Sequence, residues 1–407
     1  MTCGHSIVVV GAGISGVRAC RGLRASGFEG PLVLVSAESE LPYDRPPLSK
    51  QILATGHPGS AIALEPESFY VDNRIELMLG ERVQSIDRQR RRVALQSGAE
   101  VEFSRMVLAL GSQLRTLPLL GRGAAGVFYL RDIDDARGLR AAMQTGGRVA
   151  IIGGGVIGLE VAAAAAIRKL PVTVIEAAPR LMARAAPRPL AEHLAAVHRD
   201  HGVTIRCGTT VQSVTGRGPT RCLHLSDGAT VEADILVVGV GVEPRIDLAV
   251  AAQIETAPQG IRVDGFGRTS DPAIYAAGEC TYHFNSFSGC HVRQENWHHA
   301  AAHGEHVGRS IVEPQIAYNE LCGYWSDQYH VSIQATGAQT GEVDVVRGDV
   351  AGGKFIVLHV TGRFVIGATA VNATRELRAA KNVIRQRVPV DPEKLSDARY
   401  DLAVLAA

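Results

Sequence analysis

At 407 residues the chain is too long for one compact core, and its 46% hydrophobic content can fill two or three. A formal net charge of +1 gives no global basis for gripping nucleic acid, which needs a large basic excess. No apolar run approaches the roughly 20 residues that span a bilayer, and the first strand at Ile7 leaves no room for a signal segment. The expectation is therefore no membrane, no nucleic acid and a cytoplasmic location. The seven cysteines are odd in number and scattered without a C-x-x-C, so neither a disulfide framework nor a zinc knuckle is suggested.

In chain order, the apolar run Ile7–Val10 leads into Gly11-Ala12-Gly13-Ile14-Ser15-Gly16, then a helical stretch and a second strand, Leu32 to Val35. This is a βαβ unit with a phosphate turn. The first glycine makes the tight bend, the second admits a pyrophosphate to the backbone, and the third lets helix and strand pack closely. The strand ends at Ser36, and the nearest acid is Glu38, a departure from the usual ribose fingerprint. Next comes Tyr43-Asp44-Arg45-Pro46-Pro47-Leu48-Ser49-Lys50, where two prolines fix φ and bias Arg45 away from helix. An extended turn that aims Arg45 and Lys50 stiffly is expected.

The pattern recurs. Val149–Ile152 runs into Gly153-Gly154-Gly155-Val156-Ile157-Gly158, a helix follows, and the strand Val172 to Ile175 ends in Glu176. A carboxylate there accepts hydrogen bonds from a ribose 2′-OH and repels a 2′-phosphate, which favours NADH over NADPH. Two such units in one chain point to two bound dinucleotides. Met106–Gly111 and Asp234–Gly241 read as buried strands ending in glycine, where the chain crosses between nucleotide domains, and Thr269–Glu279 reads as a third strand meeting a ligand.

From Tyr318 onward the period becomes two: Val331–Ala335, Val343–Val346, Lys354–Val360 and Phe364–Gly367 are expected as antiparallel strands. A final helix is expected at about Thr374 to Gln386, giving a small α+β domain. That helix carries Arg375, Arg378, Lys381 and Arg385 on one face, either a solvated stripe or a steering surface for an acidic partner. Two clusters are discounted. His299, His303 and His306 stand at metal-gathering spacing but are expected to be packing or exposed residues. Cys280 and Cys290 lack the close spacing of a flavin-linked dithiol.

The first glycine turn, YDRPPLSK, GGGVIGLE, PRLMARAAP, the segment ending in Gly278, Glu295-Asn296-Trp297 and Tyr324–Gln328 together carry a resemblance that covers nearly the whole chain. The sequence resembles the FAD-dependent, NADH-using ferredoxin reductases of bacterial oxygenase systems, within them the reductase component of biphenyl-type ring-hydroxylating dioxygenases. The resemblance implies an α/β fold of two Rossmann-like domains plus the C-terminal α+β domain. Its boundaries would be an FAD domain at 1–112 and 242–318, an NADH domain at 113–241 and a terminal domain at 319–407. It implies FAD contacts from Gly11, Gly13, Ile14, Ser15, Gly16, Ser36, Arg45, Lys50, Val83, Ala109, Gly111, Arg131, Gly278, Glu279 and Trp297. NADH contacts would come from Gly153, Gly155, Val156, Ile157, Gly158, Glu160, Glu176, Arg184 and Gly241.

By the same resemblance Lys50 meets the isoalloxazine edge, where an ammonium stabilises arriving negative charge, and Glu160 faces it across the flavin; these two are the catalytic candidates. Trp297 and Trp325 would cover the ring. Glu279 stands where the family has aspartate, and Leu110 where it has threonine. The activity implied is electron transfer from NADH to a [2Fe-2S] ferredoxin that supplies a terminal oxygenase. A dithiol or peroxide reductase, which needs a reactive cysteine, and a non-catalytic NADH-sensing flavoprotein of the apoptosis-inducing type share much of this pattern.

Overall fold

The computed structural model describes residues 6–55, 62–216, 220–285, 287, 289–313, 316–397 and 400–405. The chain divides into two compact units. The first comprises Met1–Asp44, Pro58–Gln113 and Val242–Cys322; the second comprises Arg45–His57, Leu114–Gly241 and Gly323–Ala407. The first division falls inside the YDRPPLSK segment, between Asp44 and Arg45.

The first unit is built on a five-stranded sheet in the order Ile274–Ala276, Arg105–Leu108, Ile7–Val10, Leu32–Val35, Ile75–Met78, parallel throughout. Its central strands are apolar on both faces because both are covered. Val8, Val10, Met106 and Leu108 belong to one cluster, and Val9, Leu34 and Val107 to another that includes helix Ile14–Ala25. That helix packs on helix Trp297–Val312 through three glycines. A Cβ at Gly22 would fall on the Glu305 carbonyl, at Gly304 on that of Ser15, and at Gly308 on that of Ala19. The backbones approach so closely that only hydrogen fits.

The second unit repeats the plan with strands Thr204–Cys207, Val172–Glu176, Val149–Ile152, Ile235–Val238 and Val127–Tyr129, again all parallel. It also carries a five-stranded antiparallel sheet, in the order Trp325–Gln328, Val331–Gly337, Phe364–Val371, Lys354–Thr361, Val343–Asp349, backed by helix Thr374–Gln386. The period-two reading of this region is borne out, with one strand more than expected, Trp325–Gln328 at the sheet edge. Val331, Ile333, Phe355, Val357 and Val371 share one apolar cluster with Leu159, Val174 and Leu190 of the nucleotide-binding part. Among the described residues, no helix is long and apolar enough to cross a membrane.

The proline segment departs from expectation. Pro46 and Pro47 open a 3-10 turn, Pro46–Ser49, with Arg45 in right-handed helical conformation (φ −81°, ψ −34°) rather than extended. Proline suits the first helical turn because its missing N–H has no intrahelical role there. The usual bias against helix before proline is overridden by tertiary contacts. The Arg45 guanidinium donates to the Arg131 carbonyl, and the Arg45 carbonyl accepts from Leu48 N at 2.9 Å.

Candidate cofactor and active sites

Both glycine turns have the geometry a dinucleotide needs. Gly11 (φ +104°) and Gly153 (φ +111°) lie in the left-handed half of conformational space, where a Cβ would also strike the carbonyls of Ala109 and Gly239. A Cβ at Gly13 or Gly155 would meet no atom within 4 Å, so the middle glycine of each turn faces open space. Gly16 and Gly158 back onto the Gly11 and Gly153 carbonyls, closing helix against strand. Neither helix Ile14–Ala25 nor helix Val156–Ile167 has a side-chain cap at its N-terminus. The partial positive charge of each first turn is thus left for an anion.

In the first unit the Ser15 hydroxyl is buried without a hydrogen-bond partner, and a Cβ at Gly278 (φ +79°) would lie 2.7 Å from it. An orphan hydroxyl beside an uncapped helix end fits a phosphate-bearing cofactor. Ser36 Oγ accepts from Glu38 N at 3.1 Å, and Glu38 accepts from the Tyr43 hydroxyl. The acid displaced from the usual ribose position is therefore tied at the end of the strand. Trp297 Nε1 donates to Asp44 Oδ1 at 2.6 Å. The longer Glu279 reaches Ser112, whose hydroxyl donates to Glu279 Oε2 at 3.0 Å; Arg293 donates to that same hydroxyl and to the Glu279 carbonyl. Leu110 packs on the apolar cluster of this unit, which is what it does in place of a hydroxyl. Val83 is paired with Leu95 in a small antiparallel sheet.

The second unit holds the other nucleotide turn. Glu176 accepts from Gly154 N at 2.6 Å and from Ala178 N at 2.7 Å, one amide per carboxylate oxygen. Its charge is thereby fixed at the strand end, with further lone pairs for a ribose. Arg184 Nη2 lies 3.4 Å from where a Gly241 Cβ would stand. The Arg131 amide donates to Asp135 at 2.9 Å, within the capping box of helix Ile133–Thr145.

Lys50 and Glu160 come together directly, Nζ to Oε1 at 3.5 Å. Asp327 Oδ2 also lies 3.6 Å from the ammonium, and the Trp325 ring centroid is 5.6 Å from it. Glu160 also accepts from the Ser49 hydroxyl and, at 2.6 Å, from Ser326 Oγ. Burial pushes its carboxyl above the usual range, while Lys50, Ser326 and Ser49 pull it back. The resemblance puts Glu160 across the flavin from Lys50, but here the two side chains pair directly, and Ser49, Ser326 and Asp327 were not among the residues singled out from the sequence. The alternation of Trp325–Gln328 was the available signal, since it puts Ser326 and Gln328 on one face of the strand.

His299 and His303 of helix Trp297–Val312 are packing residues. His299 and His303 are fully buried, and the His283 and His299 rings stack at 4.6 Å with planes 11° apart. Stacked faces do not converge ring nitrogens, and no metal-holding group of acids, histidines or cysteines exists among the described residues. His303 Nδ1 accepts from Gly278 N at 3.1 Å, bracing the loop at Glu279. Burial raises the Cys280 thiol to about 11 and the Cys20 thiol to about 12, leaving both protonated.

The pyridine nucleotide-disulphide oxidoreductase family matches residues 5–304, and the reductase C-terminal family matches 324–406. The chain is similar to the ferredoxin–NAD(+) reductase component of the anthranilate 1,2-dioxygenase system of Burkholderia cepacia, at 41% identity over 97% of this chain and 98% of that one. The corresponding component of the p-cumate 2,3-dioxygenase system of Pseudomonas putida is 38% identical over 97% of each. Among solved structures, a ferredoxin reductase from Rhodopseudomonas palustris superposes with a TM-score of 0.96 at 34% identity, covering 99% of this chain and 100% of that one. The covalent putidaredoxin reductase–putidaredoxin complex matches with a TM-score of 0.94 at 32% identity, covering 99% and 98%.

Proposed function

The chain belongs to the pyridine nucleotide-disulphide oxidoreductase family and ends in its reductase C-terminal domain, and from that premise we propose that it is an NADH:ferredoxin oxidoreductase. It takes hydride from NADH and delivers electrons singly to a [2Fe-2S] ferredoxin that supplies an oxygenase in the cytoplasm. The observation that carries this reading is the pair of nucleotide turns, Gly11–Gly16 and Gly153–Gly158, in a chain that resembles ferredoxin reductases over nearly its full length.

FAD, when bound, supplies the conversion of a two-electron donor into one-electron steps. The assignment proposed from the resemblance is 1–112 and 242–318 for FAD, 113–241 for NADH and 319–407 as the terminal domain, although Arg45–His57 groups with the second compact unit. In the FAD part the uncapped helix Ile14–Ala25 and Ser15 take the pyrophosphate, and Glu279, steadied by Ser112 and Arg293, offers a carboxylate to a hydroxyl of the cofactor chain. In the NADH part Glu176 accepts from the ribose hydroxyls, and Gly155 leaves room for the pyrophosphate.

By the resemblance, Lys50 would place a positive charge at the isoalloxazine edge that takes up the hydride, where negative charge arrives. Glu160 holds that ammonium in place, and Trp325 shields it from water. No side chain needs to give or take a proton from NADH. A dithiol mechanism would need a reactive pair, and Cys280, one half of the Cys280–Cys290 candidate, is a buried thiol pushed up to about 11. Anaerobic stopped-flow mixing of the FAD-loaded protein with NADH, followed by titration with a [2Fe-2S] ferredoxin, tests the reading. Flavin bleaching by NADH followed by ferredoxin reduction is expected. Bleaching with no electron delivered to any ferredoxin would make the protein an NADH sensor.

A further inference from the structure

A buried polar chain runs behind the Lys50–Glu160 pair. We propose that Ser326, Gln328 and His198 are positioning residues that hold the Glu160 carboxylate oriented and ionised beside Lys50; this rests on the reductase reading above. From the far end, the Tyr329 hydroxyl lies 3.2 Å from His198 Nδ1, and His198 Nε2 lies 2.8 Å from Gln328 Oε1. Gln328 Nε2 donates to Ser326 Oγ at 3.1 Å, and Ser326 Oγ donates to Glu160 Oε1 at 2.6 Å. Ser326, Gln328 and His198 are all 1% exposed or less.

The donors line up in one direction. Glu160 is the terminal acceptor, so Ser326 must spend its single proton there and accept from the Gln328 amide. That fixes the amide with its oxygen toward His198, which sets the imidazole as the Nε2–H tautomer, with Nδ1 left to accept from Tyr329. Burial lowers the His198 pKa below the ordinary histidine value, which favours the neutral ring. Glutamine passes no protons readily, so the chain orients the carboxylate and does not conduct.

Its anchor is itself held. Tyr329 begins a two-residue hairpin loop at φ +54°, a conformation that normally selects glycine or asparagine. Its ring stacks on His201 at 3.7 Å with planes 18° apart. The strand Trp325–Gln328 therefore does two jobs at period two: Trp325 and Asp327 face Lys50, while Ser326 and Gln328 reach from Glu160 toward helix Arg188–Asp200. The charged groups around Glu160 are Lys50 from the turn and, behind it, Asp327 from the edge strand. His198 acts only through Gln328 and Ser326.

The test is an infrared titration of the FAD-loaded protein, with the Glu160 carboxylic-acid band identified by its loss in Glu160→Gln. Removing a hydrogen bond to the charged form disfavours that form, so Ser326→Ala should move the midpoint up by about one pH unit. Gln328→Met should move it up by less, and Ser326→Thr, which keeps the hydroxyl, should return it close to native. The pH profile of flavin reduction by NADH should shift upward in the same order. Midpoints unchanged in both Ser326→Ala and Gln328→Met would overturn the inference. Should Gln328→Met not load FAD, Ser326→Ala, which removes one oxygen, decides alone. Because the midpoint is read without NADH, it is independent of the reductase reading, whose own failure would show as no flavin bleaching by NADH in the native protein.

Discussion

Lys50 Nζ stands 3.5 Å from Glu160 Oε1, joining the proline turn to the helix that follows the second glycine turn. The carboxylate is 3% exposed and the ammonium 18%, so neither charge is well hydrated and each depends on the other. Lys50→Ala should slow flavin reduction by NADH by about ten- to a hundredfold, the worth of a charged hydrogen bond of roughly 1.5–3 kcal/mol. Glu160→Gln keeps the shape and removes the charge, and should slow the same step while leaving FAD content near native. Stopped-flow rates and flavin absorbance separate the two effects; native rates in both variants would remove the pair from the reaction.

In the proposed reading the preference for NADH rests on Glu176, whose two oxygens are held by the Gly154 and Ala178 amides. A 2′-phosphate would bring like charge onto a carboxylate that cannot turn away. NADH should therefore exceed NADPH in kcat/KM, and Glu176→Ala should narrow the ratio by one to two orders of magnitude. The same variant should weaken NADH, because the ribose loses its acceptor. Equal use of both nucleotides by the native protein would contradict this.

Both glycine turns were legible because each glycine answers a backbone demand: left-handed φ at Gly11 and Gly153, open space at Gly13 and Gly155. The antiparallel strands and helix Thr374–Gln386 were legible from period alone. What escaped depends on partners distant in sequence. Arg45 is helical with its guanidinium held on the Arg131 carbonyl, 86 positions away. Ser326 becomes part of the site only because a sheet edge lies against helix Val156–Ile167. Local propensity carries no record of either contact.

The histidine cluster of the first unit predicts acid lability. Burial lowers His283 to about 4 and holds His299 and His303 well below the ordinary histidine value. The unfolded chain takes up protons that the folded one refuses, so stability is present above roughly pH 6.5 and is lost as pH falls toward about 4. Each group contributes about 1.4 kcal/mol per pH unit within its window. Denaturant unfolding should show stability falling steadily across that interval, and His283→Phe should flatten the fall. A native protein equally stable at both ends of the interval would count against neutral histidines.

Electron delivery leads to the last expectation. Arg375, Arg378, Lys381 and Arg385 project from one face of helix Thr374–Gln386, while Leu377, Ala380, Val383 and Ile384 are buried on the other. Arg375 and Arg378 are exposed. Weak redox encounters gain on-rate from complementary charge more than from buried area, and a ferredoxin of acidic surface would be drawn to such a stripe. Reversing Arg375 and Arg378 to glutamate should raise the apparent KM for the ferredoxin severalfold and flatten its dependence on salt. Ferricyanide reduction driven by NADH should stay near native, since a small acceptor needs little docking. The measurement is ferredoxin kinetics from roughly 20 to roughly 300 mM salt, over which the Debye length falls from about 20 to about 6 Å. A native protein whose ferredoxin KM ignores salt over that range would leave the stripe as an ordinary solvated face.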